Sequence, residues 1–156
     1  MKKLFVLLAF VAVVASSCSD EGDGTPVLIN PSAKLSCKID GSSWTALTRV
    51  TTNTQGTFVV NGSALQSDAL NITIIGETEG TYTLGTMQYN FSASYSPVAS
   101  NTDSLYTAIN GTVELTDVDT QNRKISGTFS FNAVNVKDPS KTMTVTEGVF
   151  TALSYN

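Results

Sequence analysis

Apolar and polar residues alternate with a period of two along much of the chain. The alternation runs through Trp44, Ala46 and Val50, through Leu70, Ile72 and Ile74, and through Met87, Tyr89, Phe91, Ala93 and Tyr95. Successive side chains of a β-strand point to opposite faces, so each series marks one buried sheet face. No segment after residue 17 carries a 3.6-residue apolar stripe. The pattern predicts an all-β domain, either a single antiparallel barrel or a two-sheet sandwich, with about eight to ten strands and mostly meander connections.

Parity also predicts register. Ile74 opposite Tyr82 and Ile72 opposite Leu84 would share a face around the loop Gly76-Glu77-Thr78-Glu79-Gly80, forming a hairpin. Asn110-Gly111 has the composition of a two-residue turn, yet Leu105, Ile109, Val113 and Leu115 keep odd parity through it. One strand is therefore expected from Leu105 to Asp117. A reversal around Val118 to Asn122 would set Gly111 opposite Phe129 and Val113 opposite Gly127, an aromatic ring covering a cross-strand glycine. Apolar positions then pass from Ile125, Phe129, Phe131 and Ala133 to Val134 and Val136, which predicts a β-bulge near Asn132 to Val134. A turn at 137–141 and a last strand from Met143 to Ala152 complete a three-stranded meander.

The first residues carry an address. Lys2 and Lys3 precede an apolar run from Leu4 to Ala15, then Ser16, Ser17 and Cys18. This is the order of a secretory signal, and twelve apolar residues fall short of the roughly 20 that span a bilayer as a helix. Ala15-Ser16-Ser17-Cys18 resembles the lipobox of bacterial lipoproteins. That resemblance implies cleavage after residue 17, lipid on Cys18 as the membrane attachment, and, with Ser19 next, passage to the outer membrane. More than one acyl chain is needed for stable anchoring, and such lipoproteins carry two or three. Asp20, Glu21 and Asp23 resemble a surface-export signal, so the mature protein is expected as an outer-membrane lipoprotein with a surface-facing option. Residues 1–17 read as signal peptide, 18–32 as a flexible acidic tether and 33–156 as the all-β domain.

Composition narrows the chemistry. Removal of residues 1–17 leaves seven basic and thirteen acidic side chains, a formal charge of −6. An acidic chain without a basic stripe is poorly suited to nucleic acid, where phosphate contacts dominate affinity. With Cys18 committed to lipid, Cys37 has no disulfide partner, and its parity with Leu35 and Ile39 predicts a buried thiol. Histidine is absent. That removes the commonest general base and metal ligand, so no catalytic residue, cofactor or metal site is assigned. Asp117-Val118-Asp119 has the oxygen spacing of a calcium loop, but Asn122 stands where glycine is required and Thr128 where glutamate is, so a polar turn is expected.

Asp40-Gly41-Ser42-Ser43-Trp44, Gly76 to Leu84, Ile125-Ser126-Gly127-Thr128-Phe129-Ser130-Phe131 and Glu147-Gly148-Val149-Phe150 resemble small Gram-negative lipoproteins of unknown function. The resemblance spans nearly all of the mature chain. It implies an envelope β-domain, with an Asp-Gly-x-x-Trp hairpin and a closing Gly-x-Phe strand, and carries no catalytic residues.

Four Asn-x-Ser/Thr sequons, at Asn61, Asn71, Asn90 and Asn110, reflect the composition of strands and turns. Asp103-Ser104-Leu105 resembles the O-glycosylation site of some exported Gram-negative proteins, making Ser104 a candidate for modification. Trp44, Tyr82, Tyr89, Tyr95 and Tyr106 have the chemistry of a small-molecule or sugar site. Parity assigns Trp44 and Tyr89 to core packing instead and leaves Tyr106 facing solvent or a pocket, the one candidate ligand contact. The expected function is a non-enzymatic, lipid-anchored binding or assembly module of the envelope with a protein or glycan partner. A lipocalin-like carrier of a small apolar molecule is the alternative, and a carboxylate-only hydrolase the remote one.

Overall fold

The computed structural model describes residues 33–64, 67–85 and 88–156. The signal peptide, Cys18, the 18–32 tether and Met87 lie outside the described residues. Among those described, the strands are β1 (Lys34–Ile39), β2 (Ser42–Thr45), β3 (Thr48–Thr54), β4 (Thr57–Ser63), β5 (Ala69–Ile75), β6 (Gly80–Gly85), β7 (Gln88–Tyr89), β8 (Phe91–Ser96), β9 (Tyr106–Asp119), β10 (Lys124–Asn135) and β11 (Thr142–Ser154). A 3-10 turn covers Thr102–Ser104. All belong to one antiparallel sheet in the order β2-β1-β11-β10-β9-β8-β5-β4-β3, with β6 added to β9 and β7 to β6.

That order describes a curled sheet. β2 and β3 are consecutive in the chain yet stand at opposite ends of it, β2 paired with β1 and β3 with β4. Ala46 N donates to Leu35 O at 2.9 Å, and Leu47 N donates to Ser63 O at 2.9 Å, so the chain changes partner at Ala46-Leu47. The C-terminus reinforces the curl: Tyr155 forms a parallel bridge to Thr51, Asn53 N donates to Asn156 O, and the rings of Phe58 and Tyr155 meet at 5.0 Å. Two turns start this arrangement. Asp40-Gly41 and Gln55-Gly56 both have positive φ at each residue, the type I′ geometry whose twist matches that of paired strands.

The three-stranded meander β9-β10-β11 is present, and β9 runs unbroken through Gly111. Its register differs from expectation by two residues: Phe131 lies opposite Gly111, Phe129 opposite Val113 and Gly127 opposite Leu115. The tight turn occupies 120–123, later than expected, and a bulge at Thr116 takes back one residue.

The bulge expected in β10 belongs to its neighbour. The register shift does fall at Asn132/Ala133, but the extra residue is Ile109 of β9, and every odd position of β10 from Ile125 to Asn135 is buried. Asn135 thus occupies an inward place, while Val136 is exposed. The polar side chain is tolerated because its Nδ2 donates to Asp103 O and its Oδ1 accepts from Lys137 N and Asp138 N. In β9 the Ile109 bulge exchanges the faces: Ala108 is 8% exposed and Ile109 52%. Tyr106 therefore lies on the core face, half-buried, and not on the outer face that its odd-numbered neighbours predict.

Three other expectations are corrected. The hairpin placing Ile74 opposite Tyr82 does not form, because both edges of β5 are occupied, Ile74 facing Phe58 on one side and Phe91 on the other. β6 crosses instead to β9, with Tyr82 opposite Val113. Tyr89 is 69% exposed. Its strand, β7, pairs only with β6 and is broken from β8 at Asn90, so it does not continue the buried series Phe91, Ala93, Tyr95. Val50 is exposed and Thr51 buried, since parity resets where β2 passes into β3.

Aromatic rings lie against glycines of adjoining strands throughout the core. Phe129 is opposite Gly148 and Phe150 opposite Gly127 in the β10/β11 register. A Cβ on Gly148 would sit 2.5 Å from the Phe129 ring, and one on Gly127 would sit 2.5 Å from Phe150 Cζ. Gly62 gives similar room to Leu35 and Trp44, whereas Gly111, at φ 151°, admits the backbone of β10, a Cβ there sitting 2.3 Å from Ser130 O. Phe129, 3% exposed, also stacks between Phe131 and Phe150 at 6.4 and 6.3 Å. Truncating Phe129 to Ala should lower stability by about 3–5 kcal/mol. Gly148→Ala, which forces a methyl group into the ring, should cost about 1–3 kcal/mol. Urea denaturation checks both, and an unchanged midpoint in Phe129→Ala would show that this ring does not fill the core.

Candidate functional site

The I′ turn at Asp40-Gly41 sends β2 along β1, and the alternation puts Trp44 inward. Tyr95 reaches the same place from β8, in the inward series of Phe91 and Ala93. The rings meet edge to face, 6.3 Å apart at 87°. Between them is Asp68, one residue before β5 and only 5% exposed. Its parity is that of Leu70, Ile72 and Ile74, so the inward series of β5 simply extends back to a carboxylate.

Asp68 gathers three donors. Trp44 Nε1 donates to Oδ2 at 2.5 Å, Tyr95 OH to Oδ2 at 3.1 Å, and Ala64 N to Oδ1 at 2.7 Å. These bonds tie β2, β8 and the end of β4 to one side chain. Charge-assisted bonds of this kind offset much of the cost of removing a carboxylate from water. Burial raises the Tyr95 hydroxyl above its ordinary pKa, and the neighbouring Asp68 raises it further. Cys37 behaves alike. Burial, with Asp68 second, pushes its thiol up to about 12.

Around Asp68 the surface opens into a concavity of about 520 Å³. Ile39, Trp44, Leu47, Ala64 and Tyr95 supply its apolar lining, and Ser42, Ser43 and Thr45 its hydroxyls. Leu47 stands at the rim, 56% exposed. The arrangement suits recognition: apolar walls, a few fixed polar groups and one buried charge.

Of the aromatic candidates, Trp44 and Tyr95 meet here. Tyr82 is elsewhere, folded over Gly76, its hydroxyl donating to Thr78 O at 2.7 Å. Tyr106 is opposite Tyr95 in the β8/β9 register, packed on the core. Ser104 is half-buried, with its Oγ 2.7 Å from Asn101 O, 3.0 Å from Val98 O and 2.8 Å from Ser96 Oγ. A glycan on Ser104 would have to displace these contacts. Asp119 caps its own turn, accepting from Gln121 N, Asn122 N and Asn122 Nδ2, and these bonds, those from Asn122 foremost, lower its pKa. The sequons at Asn61 and Asn71 face each other and are bonded at 2.6 Å, and Asn110 is bonded to Asn132 at 2.8 Å. No group of three or more metal-ligating side chains occurs among the described residues.

Sequence reasoning missed Asp68. The available signal was parity: a carboxylate two residues before Leu70 on the inward face of a strand calls for partners, and Trp44 and Tyr95 were the inward side chains with donors.

The family described as Domain of unknown function (DUF6252) matches residues 31–154, and the chain belongs to it. No curated protein and no solved structure matches the chain.

Replacing Asp68 with Ala leaves the buried Trp44 Nε1 without its acceptor, and stability should fall by at least about 1–3 kcal/mol. Thermal unfolding checks this, and a wild-type Tm would show that the carboxylate ties nothing. Cys37 yields a second expectation. Its folded pKa, about 12, exceeds the ordinary 9.0, so the folded state holds the proton longer. The resulting stability is complete below pH 9.0 and is lost as pH rises from there toward 12. Cys37→Ala should flatten this alkaline loss, and the native thiol should resist alkylation at pH 8 until the protein is unfolded.

Proposed function

We propose that the protein is a non-enzymatic, lipid-anchored binding module of the cell envelope, attached at the outer membrane through Cys18, and that the Trp44–Asp68–Tyr95 concavity is its recognition face. The observation that carries the reading is the buried carboxylate held between two aromatic rings at the floor of an open concavity. The packed interior supports a module that binds at its surface over an apolar-ligand carrier. Phe58, Phe91, Phe129, Phe131 and Phe150 occupy the space between the curled halves of the sheet. For hydrolysis by carboxylates alone, two acidic groups would have to face each other across a cleft. Asp68 faces Trp44, Tyr95 and Ala64 instead, and Asp119 and Asp138 are engaged in their own turns.

Anchoring and recognition are separable by experiment. Cys18→Ala should move the protein from the membrane to the soluble fraction and abolish labelling by a fatty acid. Retained labelling overturns the anchor. A photo-cross-linking side chain at Leu47, on the rim, should give a discrete envelope adduct in cells, while the same group at exposed Tyr89 should not. Identical patterns at the two positions would mean that the concavity is not the binding face.

A further inference from the structure

Resting on that reading, we propose that the concavity receives a cationic group, the ammonium or guanidinium of a lysine- or arginine-like side chain, with Asp68 as its counter-charge and Trp44 and Tyr95 as its walls. Asp68 is 95% removed from solvent, yet its three partners are neutral donors. Among the described residues the ion pairs are Lys38–Glu147, Lys137–Asp103 and Lys141–Asp138, all between surface groups. The nearby Arg49 spends a guanidinium nitrogen on Ala46 O at 3.0 Å and lines a different hollow, with Gly62 and Leu70. The buried carboxylate is therefore bonded, but no ion pair among the described residues neutralises its charge. A carboxylate offers about four acceptor positions, one more than the donors present.

A cation would supply both the missing donor and the missing charge. Trp44 and Tyr95 present their polar edges to Asp68 and hold the carboxylate in place, so the attraction is to its charge. Ile39, Leu47 and Ala64 suit the aliphatic stem on which such a group is carried. The acidic mature chain favours its approach over long distances. A neutral sugar would find hydroxyl partners in Ser42, Ser43 and Thr45 but would leave the charge on Asp68 unbalanced.

Trp44 is the one tryptophan in the chain and bonds directly to Asp68, so its fluorescence reports on the site. The full chain in detergent is titrated with N-acetyl-arginine amide, with the uncharged isostere N-acetyl-citrulline amide, and with a neutral disaccharide. The expected result is a saturable response to the arginine compound, at least about tenfold weaker with citrulline, as for loss of a charge-assisted bond. Asp68→Asn should remove the response while near-ultraviolet dichroism shows the fold retained. Should that variant fail to fold, Ser43→Lys serves instead: a tethered ammonium at the site should occupy Asp68 and block the arginine response. Equal responses to arginine and citrulline, or a tighter response to the disaccharide, overturn the proposal. No arginine response, with the Leu47 cross-link intact, removes the cationic ligand and leaves the binding module standing. Loss of the cross-link as well removes both.

Discussion

The curl of this sheet depends on aromatic rings that lie on cross-strand glycines. A strongly curved sheet crowds the side chains on its concave face, and rings can occupy that face only where the opposing residue has no side chain. Gly127 under Phe150 and Gly148 under Phe129 meet this condition on the paired strands β10 and β11. The bulges at Thr116 and Ile109 in β9, and at the positive-φ residues Glu147 and Ala152 in β11, supply the bend. Rings and bulges are coupled. Each bulge shifts register by one residue, and each shift selects which glycine meets which ring.

The same constraint shapes the concavity around Asp68. Gly62 on β4 leaves room for Trp44, Leu35 and Ala46 at the point where the chain passes from β2 into β3. The sheet edge opens there because one chain segment serves two partners, β1 before Ala46 and β4 after it. Asp68 holds the opening together by bonding to β2, β8 and the end of β4. A carboxylate that stays buried to bridge three segments also lies behind the accessible surface of the concavity.

Much of the fold was legible in the sequence. Parity identified the all-β class, the C-terminal meander and the buried Cys37, because each rests on local alternation, and it found β9 unbroken although only Val113 and Leu115 of the four residues it used are buried there. Its failures have one physical origin. Alternation reports which face a residue occupies within a strand, and says nothing when an extra residue resets the count. Ile109, Val50 and Tyr89 were misassigned for this reason, each lying at a bulge, a change of partner or a strand break. Partner choice was equally hidden: Ile74 and Tyr82 share the interior without sharing a hairpin, because β8 takes the edge of β5 that the hairpin would have used.

The site was legible in part. Core packing was expected for Trp44 and Tyr89 and holds for Trp44 alone, while Tyr95 is buried with the alternating series it belongs to, and burial does not exclude binding for side chains that carry a polar end. What sets this cluster apart from ordinary packing is Asp68, whose short side chain looks like turn chemistry beside Ser67. Polar residues buried elsewhere in this domain have neutral solutions: Asn135 is saturated by backbone partners, and Ser96 by Val98 O and Ser104. Asp68 alone among the buried polar residues of the described chain carries a formal charge. An asparagine there would set its amide NH2 against one of these donors, so three converging donors call for an acceptor-only carboxylate. The tie between strands therefore accounts for an acidic side chain at this position, and the proposed cationic ligand would meet the same carboxylate from the side of the concavity.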